Sequence, residues 1–219
     1  MSGTRRFNLL GVLVIVCVSS TRPAFGGQSP REDAQKMEAR WHGTIVAQVD
    51  DFAEIPREEL DAAEQLAARI YESIGVRTIW VHGEVPLQDP RGLRVHVRLL
   101  SRTMAERKIS KERIKDNVLG QANRPSRSVY VFFHRIPPVA FEHAQDYVRV
   151  LGLVMAHEVG HILLPADSHS ATGIMSVKAD VWSKSVRYFT AEQGAAICSM
   201  LVEGAQSNLS GVETARRGR

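Results

Sequence analysis

The segment His157-Glu158-Val159-Gly160-His161 constrains this chain more than any other. The segment falls inside a predicted long helix, where two imidazoles four residues apart lie on one face, one turn above the other. On that face both rings can reach one metal ion, and neutral imidazole binds Zn²⁺ at about 2.0–2.1 Å. Glu158 lies one residue round the helix, which sets its carboxylate beside the ion and toward water held there. Zinc lowers the pKa of such water to about 7, and a neighbouring carboxylate can take its proton as the water attacks a carbonyl. With the His and Glu frequencies of this chain, the pattern arises by chance about 0.02 times in such a length. Pro165 stops the helix near Leu164.

The chain has 219 residues, 44% of them hydrophobic and 24% charged, enough for one domain with a real core. The net charge of +4 invites a nucleic-acid reading. Arg5, Arg6 and Arg22, however, lie in an N-terminal segment with the three parts of an export signal. Arg5 and Arg6 precede the apolar run from Leu9 to Val18, and Ala24-Phe25-Gly26 supplies small residues for cleavage. Removing 1–26 takes the charge to +1, and no basic stripe remains to read phosphates. The expectation is a signal peptide over 1–26, a mature chain from near Gly27, a secreted or periplasmic location, and no stable membrane insertion after signal removal. Cys17 leaves with that segment and Cys198 stands alone, so neither an internal disulfide nor a cysteine zinc site can form.

Residues 27–41 read as a polar linker, 42–205 as the domain, and 206–219 as a basic, disordered tail. Within the domain, Gly43 to Val49 reads as a strand, and a helix follows from Pro56 with Leu60, Ala63, Leu66, Ala67, Ile70 and Ile74 at helical spacing. Gly75 ends that helix. Val76 to Val81, Leu93 to Leu100 and Ser128 to His134 read as further strands, with Val95, Val97 and Leu99 alternating against Arg94, His96 and Arg98. Residues 101–127 read as a charged excursion with one short helix. The long helix starts at about Phe141 or Asp146, and a last helix spans roughly Ala191 to Val202, capped by Thr190.

After His161 the chain continues Ile-Leu-Leu-Pro-Ala-Asp-Ser-His169-Ser170-Ala-Thr-Gly173-Ile174-Met175. This stretch resembles the metzincin metallopeptidases, HExxH zincins in which a third ligand and then a tight turn follow the second histidine. Gly173-Ile174-Met175 looks like that Met-turn, and His169-Ser170 like the end of the zinc motif. The resemblance is specific from His157 to Met175 and covers about 43–202 in layout. It implies an α+β, zincin-like fold: a small mixed twisted sheet, a backing helix and an active-site helix, then a small C-terminal helical subdomain. It also implies Zn²⁺ on His157, His161 and His169, with Glu158 as general base and a peptide or protein as substrate, laid along a sheet edge. One departure matters. The family spacing HExxHxxGxxH puts glycine at 164 and the ligand at 167, where this chain has Leu164 and Asp167. Asp167 is the third ligand by counting and His169 by context, and both side chains are competent. If Asp167 is not a ligand, it can accept a hydrogen bond from one.

Rival readings use the same residues. A zinc-stabilised binding module would close the site with both Asp167 and His169, and a zinc hydrolase of non-peptide substrates would keep the same atoms. Glu158 favours an enzyme, because a structural site has no need of it. A glutamate from a downstream helix, Glu192 or Glu203, would leave His169 and the Met-turn without a role. His42, His82, His96, His134 and His143 read as structural, and Tyr188 is left outside the site. Gly160 costs about 1 kcal/mol in a helix and either admits a segment beneath the metal helix or is simply tolerated. The oligomeric state is left open.

Overall fold

A computed structural model describes residues 41–83, 92–176 and 187–217, with side chains through 204. The expected leader 1–26 and all but the last residue of the expected linker lie outside those residues. Five strands and five α-helices follow in order: β1 (Gly43–Asp51), α1 (Arg57–Glu72), β2 (Val76–His82), β3 (Leu93–Leu99), α2 (Arg102–Glu112), β4 (Gly120–Asn123), β5 (Ser128–Val131), α3 (Ile136–Glu142), α4 (Tyr147–Leu163) and α5 (Ala191–Arg217). The fold is mixed α/β, with one sheet in the order β2-β1-β3-β5-β4. All neighbouring strands are parallel except β4, which runs antiparallel to β5 at one edge.

Alternation along the strands sets the layers. Ile45, Ala47 and Val49 of β1 share a face with Val95, Val97 and Leu99 of β3, and all six are buried. The helices α1 and α4 cover that face. Of the apolar stripe expected of α1, Leu60, Ala63, Leu66, Ala67 and Ile70 are buried, joined by Glu64 and Tyr71, while Ile74 lies past the helix end and is half-buried. Asp51 turns the chain from β1 into α1 by accepting from the Ala53 and Ile55 N–H groups at 3.0 and 2.8 Å. The two helices approach closely because position 152 is glycine: a Cβ there would lie 2.6 Å from the Ala63 carbonyl oxygen. Leu100, Ala105 and Phe132 form a smaller second core beside α2.

Beyond shifts of one or two residues at element ends, the structure differs from the sequence expectations in four places. The excursion over 101–127 holds the expected short helix, α2, but also the strand β4, whose Gly-Gln-Ala-Asn sequence carries no β-branched or aromatic residue. β5 ends at Val131 rather than His134, because the chain turns through a 3₁₀ segment at Phe133–Arg135. Pro137 and Pro138 then open the separate helix α3, where their missing N–H groups cost nothing. The long helix therefore starts afresh at Asp146, whose carboxylate accepts from Val148 N–H at 2.9 Å. Finally, α5 continues to Arg217, past the expected end at Val202 and into the expected tail. No proline follows Thr190 to stop it.

Candidate metal centre

The C-terminal half of α4 carries His157, Glu158 and His161. The two imidazole Nε2 atoms stand 3.1 Å apart, close to the spacing of two nitrogens on one cation. Past the helix, Leu164 is extended (φ −94°, ψ 159°), as a residue before proline must be. Asp167 then takes a left-handed backbone, φ 58°. This turn brings His169 back: its ring centroid lies 5.5 Å from that of His157 and 4.6 Å from that of His161. One ring nitrogen from each of the three lies within 4.8 Å of the others. Asp167 is exposed and does not belong to that group. The turn at 164–168 thus places His169, and not Asp167, beside the two helical imidazoles.

The histidines are oriented from behind. His157 donates from Nδ1 to the Ile174 carbonyl at 2.8 Å, which leaves its Nε2 lone pair free for a cation. The Ser168 hydroxyl lies 3.4 Å from His161 Nδ1. Gly173 has φ 79°, and Ile174 N–H donates to the Tyr188 carbonyl at 2.9 Å. Ser170 N–H donates to the Met175 carbonyl at 3.1 Å, closing the loop. Met175 is fully buried. It explains Gly160: a Cβ at 160 would lie 2.7 Å from Met175 Sδ and 3.2 Å from Phe189 Cε1. The residue before the motif is also held, by Tyr71, whose buried hydroxyl donates to the Ala156 carbonyl at 2.8 Å.

Glu158 is 8% exposed and lines the same cavity of about 440 Å³ as the three histidines. Leu119, Gly120 and Ala122 form the opposite wall at the sheet edge. Gly120 is required there, since a Cβ would lie 2.6 Å from Glu158 Cγ. Burial pushes the Glu158 carboxyl up to about 8. Burial, then the neighbouring His157 and His169, then Arg124, push His161 down to about 4. Burial lowers His157 as well, against the pull of its bond to Ile174. Both rings are therefore neutral at physiological pH, the form that binds a metal.

One other group of three side chains closes up in this way among the described residues: Asp61, Glu64 and His82. There Glu64 lies 2.9 Å from His82 Nε2, and Asp61 lies 2.9 Å from Arg57, so both acids already have partners within the chain. Of the remaining candidates, Glu192 and Glu203 are exposed and outside the histidine group. His134 lines a separate cavity with Phe52 and Arg102, and Tyr188 one with His42 and Cys198. Sequence reasoning missed β4 with its Gly120, and Tyr71. A tyrosine on the apolar stripe of α1 was a usable signal, because a buried hydroxyl seeks a partner.

No protein-family model matches the chain, and no curated protein sequence does. Among solved structures, it is similar to a zinc-dependent peptidase from Methanocorpusculum labreanum at 14% identity and a TM-score of 0.46, over 69% of this chain and 99% of that one. It is also similar to archaemetzincin from Methanopyrus kandleri at 18% identity and a TM-score of 0.40, over 78% and 98%. Archaemetzincin from Archaeoglobus fulgidus, complexed with malonate, matches at 13% identity and a TM-score of 0.41, over 70% and 99%.

Proposed function

We propose that the protein is a zinc-dependent metallopeptidase, with His157, His161 and His169 as metal ligands and Glu158 as general base. One observation carries this reading. Three imidazoles converge within 4.8 Å, beside a buried carboxyl group, on the wall of a cavity bounded by a sheet edge. The donor set suits Zn²⁺, because borderline-soft zinc takes three nitrogens and keeps an open position in catalytic sites. When bound, zinc would supply Lewis acidity to the scissile carbonyl and to water.

The chain supplies the rest. Glu158 takes a proton from the attacking water and returns it to the leaving amine as the C–N bond breaks, so the carboxylate is regenerated. Ile174 keeps His157 in the tautomer that faces the ion. Among the described residues the edge strand β4 pairs with β5 on one side only, which favours an extended peptide as substrate, laid along its other side. The N-terminal sequence supports export, with residues 1–26 as the removed leader.

Glu158→Gln is the test. It is isosteric and leaves the three imidazoles, so zinc content is retained while kcat/KM on a peptide library falls by about 10²- to 10⁴-fold. Wild-type turnover in that variant contradicts the assigned role. Zinc-dependent hydrolysis of simple esters with no cleavage of any peptide would move the reading to the non-peptide hydrolases.

A further inference from the structure

The third histidine sits on a loop, and a ligand on a loop needs something rigid to hold it. Among the described residues, one side chain from outside the loop 164–176 reaches both sides of His169. Gln193, in the first turn of α5, donates from Nε2 to the Ser168 carbonyl at 3.2 Å and to the Ser170 hydroxyl at 3.1 Å. Those are the residues before and after His169. Its Oε1 is occupied too, accepting from Thr190 N–H at 3.1 Å, while Gln193 N–H donates to Thr190 Oγ1 at 3.3 Å. That reciprocal pair is a capping box. A single amide thus starts α5 with its oxygen and clamps the metal loop with its nitrogen. Ser168 extends the clamp, since its hydroxyl lies 3.4 Å from His161 Nδ1.

We propose that Gln193 is a positioning residue for the metal site: it fixes His169, and through Ser168 the ring of His161, at the geometry that a cation needs. This rests on reading the three histidines as the metal set. Partners behind metal ligands are commonly worth about 10- to 100-fold in affinity. The two ends of the amide can be separated by chemistry. Glu at 193 still accepts from Thr190 N–H and keeps the cap, but it has no N–H to give Ser168 or Ser170. Ala at 190 loses the hydroxyl half of the cap and leaves the amide nitrogen in place.

The experiment measures zinc dissociation constants of the full-length chain by competition with a chromophoric chelator, and the thermal midpoint of each metal-free protein. Gln193→Glu is expected to weaken zinc by about 10-fold or more with a metal-free midpoint near the wild type. Thr190→Ala is expected to lower that midpoint while holding zinc within about threefold of the wild type. Zinc bound as tightly by Gln193→Glu as by the wild type overturns the proposal and leaves the metal reading intact. So does equal weakening in both variants, which would make Gln193 a helix cap alone. A wild type that takes up no zinc overturns the metal reading itself, and the role of Gln193 with it.

Discussion

At residue scale, Glu158 and the histidines beside it respond to pH with opposite signs. The folded pKa of Glu158, about 8, lies above its ordinary 4.5. Between those values the folded protein holds a proton that the unfolded chain has released, so stability falls as pH rises. His161 is shifted the other way, to about 4 from 6.5, and His157 is lowered too. Below 6.5 the folded state therefore carries fewer protons on these rings, and their contribution to stability rises with pH. Above 6.5 the rings are neutral in both states and the Glu158 contribution remains. Metal-free protein in chelator is expected to lose on the order of 1–2 kcal/mol through Glu158 between pH 6.5 and 8. Urea denaturation of the wild type against Glu158→Gln isolates that slope, and equal slopes would contradict it. Zinc should abolish the difference, since a nearby dication favours the ionised carboxylate at lower pH.

At the scale of elements, the site depends on what lies under α4. Gly160 leaves room for Met175 and Phe189, and Phe189 packs in turn on Tyr71 at 5.1 Å between ring centroids. Alanine is the better helix former, so an unpacked glycine would be improved by the change. Here Gly160→Ala is expected to destabilise the protein by about 1–3 kcal/mol through overpacking, read from chemical denaturation. A neutral or stabilising outcome would show that Met175 moves aside freely. Most of the sheet was legible in sequence because burial imposes its period on the strands, whereas α4, buried almost all round, was legible from its histidine spacing and from Pro165. The strand β4 was not: Gly120 is there for its missing Cβ over Glu158, and a four-residue edge strand has no period to read. The break between α3 and α4 was hidden for a related reason, because two prolines fit the first turn of a helix as readily as they end one. The third histidine stayed ambiguous because spacing along a chain does not report a turn. Extended Leu164 and left-handed Asp167 set the path by which His169 returns to the helix.

At the scale of the molecule, the three histidines join α4 to the loop 164–176, and Gln193 joins that loop to α5. The sulfhydryl of Cys198 donates to the Ile74 carbonyl at 3.2 Å and is not in a disulfide. A metal ion would thus be the one strong cross-link among the described elements. Saturating zinc, at about 100 times its dissociation constant, adds roughly 2.7 kcal/mol. For a domain of this size that raises the thermal midpoint by about 5–10 °C. Calorimetry with and without chelator checks this, and an unchanged midpoint would mean that no ion ties the elements together. The most direct measurement is the zinc-to-protein ratio of the purified chain, wild type beside His169→Ala and Asp167→Ala. About one zinc per chain in the wild type and in Asp167→Ala, lost from His169→Ala, is the predicted result. Zinc kept without His169, lost without Asp167, or absent from the wild type after reconstitution would contradict the three-histidine site.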